Sequence, residues 1–224
     1  MSSMFMPATD VSVVVPVFRN AACLPELAAR LQRALAPRPY ELILVDDASP
    51  DDAARIIETL PRVVGIHLPY NVGQNAAVVA GLARARGALV VVMDGDLQDP
   101  PEAVPALLGR LDRGDVDVVF AGRRGRYERP ARLLTGRLLK LSLWALTRGR
   151  VPQTAGLFLA MHETVARRVV AAAPRQPYVV VLVARAAEAV ATIPVERAAS
   201  PETSYSPRTR WRVARRALAE AVRR

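Results

Sequence analysis

Cysteine is almost missing. Cys23 is the only one in 224 residues, which excludes an internal disulfide or a cysteine metal cluster and fits a reducing, cytoplasmic setting. Lysine is as scarce. Lys140 stands alone, so nearly all of the +10 formal charge is arginine. Arginine grips phosphate through a rigid two-pronged fork. That balance points to nucleic acid, an anionic membrane surface or a phosphorylated small molecule, or else to bias in a chain rich in Ala, Arg, Val and Leu. Aromatic residues make up only 5%, few for stacking on single strands, and no nucleic-acid-binding motif is present, so no nucleic-acid partner is expected. Neither G-x-G-x-x-G nor G-x-x-x-x-G-K-[ST] occurs, which argues against a redox dinucleotide and a P-loop. No stretch reaches the roughly 18 apolar residues of a spanning helix. The opening MSSMFMPATD lacks a basic region followed by an apolar run, so no signal peptide is expected. His67 and His162 are isolated and receive no role.

What is present alternates. Residues 11–16 (VSVVVP), 41–46 (ELILVD), 62–68, 88–94 (ALVVVMD) and 116–121 read as short buried strands. Helices are expected over 22–35, 74–86 and 101–112, by apolar spacing or alanine content, with Gly87 ending the second. Ser49-Pro50-Asp51-Asp52 reads as a helix start, with a cap, a proline and acids at the positive end. This order predicts a mostly parallel α/β sheet covered by helices on both faces. Beyond Gly122 come an arginine-rich loop (122–130), a leucine-rich helix to about Thr147, a short strand (156–161), a helix from about Glu163 and a basic helix over 207–224. Half of the chain is hydrophobic, enough for one core. A single domain over 1–224 is expected, with a nucleotide-binding half (1–122) and an acceptor half (123–224).

Ligands of open parallel sheets sit beyond the strands' carboxyl ends. Three predicted strands end in polar clusters there: Pro16-Val17-Phe18-Arg19-Asn20, Asp46-Asp47 and Asp94-Gly95-Asp96-Leu97-Gln98-Asp99. Asp94 and Asp96 alternate around a glycine, so both carboxylates can face one pocket. Mg²⁺ takes one or two carboxylates plus phosphates and water, so this pair suits a metal–diphosphate complex. The Asp46-Asp47 pair suits ribose hydroxyls or a base N–H. Asp47 or Ser49 also suits a cap for the next helix, and one of these residues is expected to cap while one binds.

Together VSVVVPVFRN, ELILVDDASPDD, LPYNVGQNAAVVAGLARARG and VVVMDGDLQDPPE resemble the GT-A fold of family 2 glycosyltransferases, most closely the polyprenyl-phosphate sugar synthases of the dolichyl-phosphate mannose synthase type. The likeness is strong over 11–122. It implies inverting transfer of a sugar from GDP-mannose or a UDP-sugar, assisted by Mg²⁺ or Mn²⁺. It implies nucleotide contacts from Pro16, Val17, Asp46, Asp47, Asn71, Gln74, Asp94 and Gly95, and a metal surrounded by Asp94, Asp96 and Gln98. Asp96 and Arg123 are the implied catalytic residues. Arg123, Arg132, Arg197 and Ser204 are implied to hold phosphate or acceptor. The segment RAASPETSYS resembles the family's Arg-x-x-Gly-x-Ser-Lys-Tyr-Ser loop, with an insertion, no glycine and no lysine before Tyr205. Gln153 and Phe158-Leu159 stand where the family often has an aspartate and a Phe-Arg pair.

Residues 123–150 hold nine basic residues (Arg123, Arg124, Arg126, Arg129, Arg132, Arg137, Lys140, Arg148 and Arg150) against Glu128 alone. A phosphate monoester, with a second pKa near ~6, is already an anionic nucleophile at neutral pH. It needs cations to orient it, not a general base. The composition therefore favours an acidic acceptor, polyprenyl phosphate, with a small-molecule acceptor as the alternative. Leucines with Trp144 beside Arg137 and Lys140, and the basic tail with Trp211, suit either a membrane interface or ordinary packing. The expected location is cytoplasmic, peripheral on the inner face of the plasma membrane.

Overall fold

The computed structural model describes residues 9–124, 144–145, 147 and 149–197. Seven strands form one sheet: β1 (Val11–Val17), β2 (Tyr40–Asp46), β3 (Val63–His67), β4 (Leu89–Val92), β5 (Val118–Arg124), β6 (Leu159–His162) and β7 (Val190–Glu196). Their spatial order is β3-β2-β1-β4-β6-β5-β7. β1 pairs in parallel with β2 and β4, β2 with β3, and β5 with β7. β6 runs against both β4 and β5.

The helices are α1 (Leu24–Leu35), α2 (Ala53–Thr59), α3 (Gln74–Arg84), α4 (Val104–Leu111), α5 (Glu163–Ala172) and α6 (Val179–Ala186). The sheet carries a core on each face, because strand side chains alternate. Val11, Val13 and Val15 of β1 pack with Leu24, Leu27 and Leu31 of α1 and with Leu107 and Leu108 of α4. Val14, Ile43 and Val45 point the other way, onto Ala77, Val78 and Leu82 of α3 and onto α5 and α6. The apolar run at 178–184 is α6, buried from Val179 to Ala184. Its first N–H, on Val179, donates to Asn75 Oδ1 at 2.9 Å.

Several elements differ from the sequence reading. The helix at 74 stops at Arg84, and Gly87 does not cap it. A Cβ on Gly87 would lie 2.5 Å from the Ser12 backbone nitrogen, so this glycine permits a close chain crossing. The helix after Ser49 starts only at Ala53. Ser49 Oγ turns to the neighbouring loop, accepting from Arg19 N–H at 2.7 Å, while Asp51 serves both sides: Oδ2 accepts from Ala21 N–H at 3.0 Å and Oδ1 from Ala53 N–H, at the start of α2, at 3.3 Å. The strand expected over 156–161 begins at Leu159. β5 runs on to Arg124, past its expected end at 121. β7 has no counterpart in the sequence reading. It lies at the sheet edge, where Pro194 breaks no ladder that a neighbour needs. The leucine-rich helix and the basic tail fall mainly or wholly outside the described residues.

Candidate functional site

Because β1, β2, β3 and β4 are mutually parallel, their carboxyl ends share one edge. The backbone is strained there. Of the four non-glycine residues at positive φ among the described residues, three lie in this edge's loops: Arg19 (φ 59°), Ala48 (φ 50°) and Leu97 (φ 60°). Such conformations are costly for residues with a Cβ and cluster at functional sites.

Asp46 and Asp47 both turn inward. Asp46 Oδ1 accepts from Ser49 N–H at 2.8 Å, closing the turn after β2. Asp47 is 2% exposed. Its carboxylate accepts from Val72 N–H at 2.7 Å and Gly73 N–H at 2.9 Å, while its carbonyl takes Asn71 Nδ2 at 3.1 Å. Burial pushes its carboxyl above the usual range, against the pull of those two N–H donors and with a smaller push from Asp46. Asp47 therefore fixes the loop that launches α3, and neither Asp47 nor Ser49 caps α2. Gly73 starts α3 at φ 92°, a backbone that favours glycine. Pro16 and Val17 are buried, and the Val17 carbonyl accepts from Asp47 N–H at 2.9 Å. They reach the edge as backbone.

His67, at the end of β3, joins the group from the far side. Its Nε2 lies 2.9 Å from Glu58 Oε1 and its Nδ1 lies 3.4 Å from Asp46 Oδ2. Burial lowers its pKa, but the bonds and charges of Glu58 and Asp46 outweigh this, and the net shift is upward. A raised histidine pKa stabilises the fold below its ordinary value near 6.5, and that contribution is lost as pH rises through the folded value. His67→Gln is therefore expected to lower the melting temperature more at about pH 6 than at about pH 8.5. Thermal melts at the two pH values check this. An equal deficit at both would remove the histidine's charge from the account.

The turn after β4 is built around Gly95. A Cβ there would lie 2.5 Å from Asn20 Nδ2 and 3.0 Å from Val15 Cγ1, so a larger residue would displace the Asn20 side chain and crowd the end of β1. Asp94 points into the site. Its Oδ1 accepts from Gln74 Nε2, the first residue of α3, at 2.6 Å, and its Oδ2 meets Arg197 Nη2 at 3.0 Å. Asp96 stands exposed, with Oδ1 accepting from Gln98 N–H at 3.0 Å. The described contact of Gln98 to this group is thus through its backbone. Asp99 is 2% exposed and takes Arg197 in a fork, Nε to Oδ1 at 2.6 Å and Nη2 to Oδ2 at 3.2 Å. Burial opposes the charge on Arg197, yet Asp99, Asp94 and Asp96 together raise its pKa.

The expected residues Gln74, Asp94 and Arg197 thus meet directly, with Asp96 alongside. Asp46, Asp47 and Asn71 form a second group on the same edge. Arg123 lies on the β5 backbone opposite Val195, two positions before Arg197. Arg132 and Ser204 lie outside the described residues. The sequence reading gave Asp99 no role, although DGDLQDPP displays it. Asp94 and Asp96 are the carboxylates that the turn offers to a hard divalent cation. They fit Mg²⁺ or Mn²⁺ held jointly with diphosphate oxygens and water. An all-protein cage does not fit, since no group of three or more His, Cys, Asp or Glu residues able to hold a metal occurs among the described residues.

The model of Glycosyl transferase family 2 matches residues 12–173. An undecaprenyl-phosphate 4-deoxy-4-formamido-L-arabinose transferase of Pseudomonas fluorescens is 31% identical over 210 residues, 90% of this chain and 62% of that protein. The transferase of the same name from Klebsiella pneumoniae is 40% identical over 131 residues, 55% of this chain and 40% of its own. The chain thus spans less than two thirds of these relatives' length. Among solved structures, glucosyl-3-phosphoglycerate synthase of Mycobacterium tuberculosis, in complex with Mn²⁺, UDP and glucosyl-3-phosphoglycerate, superposes with a TM-score of 0.69 at 22% identity, over 95% of this chain and 78% of that one. TarS of S. aureus in complex with UDP-GlcNAc gives 0.65 at 18% identity, over 95% and 66%. The shared fold is the GT-A fold that the sequence led us to expect, a mixed α/β sheet that is mostly parallel.

Proposed function

The chain belongs to glycosyl transferase family 2, and on that premise we propose that it transfers a sugar, with inversion, from a nucleoside diphosphate sugar to a polyprenyl phosphate. The observation that carries this reading is the meeting of Asp94 and Arg197 beside exposed Asp96 at the carboxyl edge of the sheet. Carboxylates for a cation and a guanidinium for phosphate are the two groups that a departing nucleoside diphosphate requires. The relatives named for undecaprenyl phosphate support the acceptor. The neighbour crystallised with Mn²⁺ and UDP supports the donor class and the metal.

In this reading Asp94 and Asp96 hold Mg²⁺ or Mn²⁺, which when bound neutralises charge on the leaving diphosphate. Asp47 and Asn71 shape the nucleoside pocket by fixing residues 72–73, and Gln74 orients Asp94. Pro16, Val17 and Gly95 set the approach of the backbone, and Asp46 keeps the turn after β2 closed. Gln98 steadies Asp96. Arg123, Arg132, Arg197 and Ser204 receive phosphate oxygens of donor or acceptor. No general base is assigned, because the acceptor phosphate is already anionic. Residues 1–122 handle the donor and 123–224 the acceptor, within one unit. Among the described residues no helix is long and apolar enough to cross a membrane; contact with the lipid acceptor is proposed to be peripheral, on the cytoplasmic side, through the basic residues of 123–150.

The test is calorimetry with GDP- and UDP-sugars, with and without Mn²⁺, followed by transfer assays on polyprenyl phosphate and on soluble hydroxyl acceptors. Metal-dependent binding of one nucleotide, then transfer to the lipid phosphate, is the expected result. Folded protein that binds no nucleotide would overturn the donor reading. Transfer to soluble hydroxyl acceptors alone would replace the acceptor.

A further inference from the structure

Three acidic side chains crowd the turn after β4, and a cation already sits among them. Arg197 follows β7 directly, and its side chain is only 15% exposed. Asp99 fixes it through Nε and Nη2, and the same Nη2 reaches across to Asp94. The other Asp94 oxygen carries the Gln74 amide. Both oxygens of the inner carboxylate therefore hold a protein donor. Asp96 alone is exposed, and one exposed carboxylate is a weak site for a hard dication that wants about six oxygens.

We propose that Arg197 is an internal counter-cation that keeps free divalent metal off Asp94, so that metal binds with the diphosphate and not before it. The inference rests on the metal reading above. A dication beside Asp94 meets the guanidinium's positive charge at close range, where repulsion in a part-buried site is large. A diphosphate reverses the balance. It offers the guanidinium oxygens of matching geometry. Asp99 retains one edge of the fork as a pivot, and Nη2 passes from Asp94 to phosphate. Asp94 is then released to the metal, and the diphosphate completes the oxygen set. Metal and nucleotide thereby bind cooperatively. The coupling is reciprocal, each raising the affinity of the other by one shared factor. Arg197 acts here as a positioning residue for the cation, through Asp94.

The experiment measures Mn²⁺ binding to the full chain, without nucleotide and with saturating UDP, by the signal of free Mn²⁺. The wild type is compared with Arg197→Gln and with the double variant Arg197→Gln/Asp99→Asn. The double variant relieves the buried carboxylate that the single one leaves unpaired, and it removes Asp99 as an adventitious ligand. Far-UV circular dichroism confirms folding. Both variants are expected to bind Mn²⁺ about tenfold more tightly than wild type without nucleotide, and to lose most of the UDP-dependent gain. Unchanged or weaker nucleotide-free binding in the folded double variant, with the UDP-dependent gain intact in wild type, would overturn the counter-cation and leave the metal site standing. Wild type that binds no Mn²⁺ even with UDP would overturn both.

Discussion

Replacing Asp96 by alanine is expected to lower turnover by about a thousandfold, the scale on which removing one preorganised electrostatic stabiliser acts, with almost no change in stability. The two halves of this result have separate causes. Asp96 is exposed and its described bond is to a neighbouring backbone N–H. A surface change of that kind stays within about 0.5 kcal/mol. Its carboxylate is nonetheless the one in the turn that faces solvent, where the proposed reaction brings a cation and a diphosphate. Asp96→Asn keeps the turn's acceptor and loses the charge, so it should be nearly as inactive. Transfer assays on purified protein, paired with thermal melts, separate the cases. Full turnover in either variant would take Asp96 out of the reaction.

Asp47→Ala inverts this pattern, with stability lost first and donor binding with it. Two backbone N–H groups, on Val72 and Gly73, lose a charged acceptor, and hydrogen bonds to charged groups contribute about 1.5–3 kcal/mol each. The raised carboxyl pKa shows that burial already offsets part of this. The net cost is about 3 kcal/mol, a fall of roughly 6–12 °C in melting temperature for a chain of this size. Asp47→Asn keeps an acceptor and should cost about half as much. The freed loop carries Asn71 and leads into Gln74, whose amide orients Asp94. Nucleotide affinity should therefore fall even in protein that is still folded at the assay temperature. Calorimetry and melts on the same samples decide it. Wild-type nucleotide affinity in the folded variant would show that the pocket does not depend on this loop.

β1, β2 and β4 were legible because each is an apolar run rich in β-branched residues, largely buried on both faces and closely followed by polar residues, and such runs declare themselves locally. β3 is part-exposed at the sheet edge and was legible from its β-branched residues. The direction of β6 was not legible. LAMH reads alike in either sense, and its reversal is set by pairing with β4 and β5. β7 escaped because it is half-exposed and contains Pro194, features that argue against a strand except at an edge. At the site, Asp94-Gly95-Asp96 stood out in the sequence through its place after an apolar strand, with Gln98 behind it and a second aspartate pair elsewhere. The division of labour between Asp46 and Asp47 was not, since it depends on a loop some 25 residues further on. The grip of Asp99 on Arg197 joins residues 98 positions apart. The family likeness named the arginine, but nothing in the sequence around either residue shows the bond.

The antiparallel strand at the centre of the sheet also bears on how the chain is made. β4 is buried along its whole length, yet its neighbour on the outer side is β6, which is encoded after β5. A nascent chain that has emerged through Gly122 therefore owns β1 to β4 and most of β5, but lacks the strand that joins them. One side of Leu89–Val92 stays unpaired until residues 159–162 leave the ribosome, and an open apolar edge of that kind invites association with other chains. The order of synthesis and the order in space disagree at this point. Completion of the part over residues 1–122 must wait for a strand from residues 123–224, so the two parts are joined at birth and not only in the finished fold.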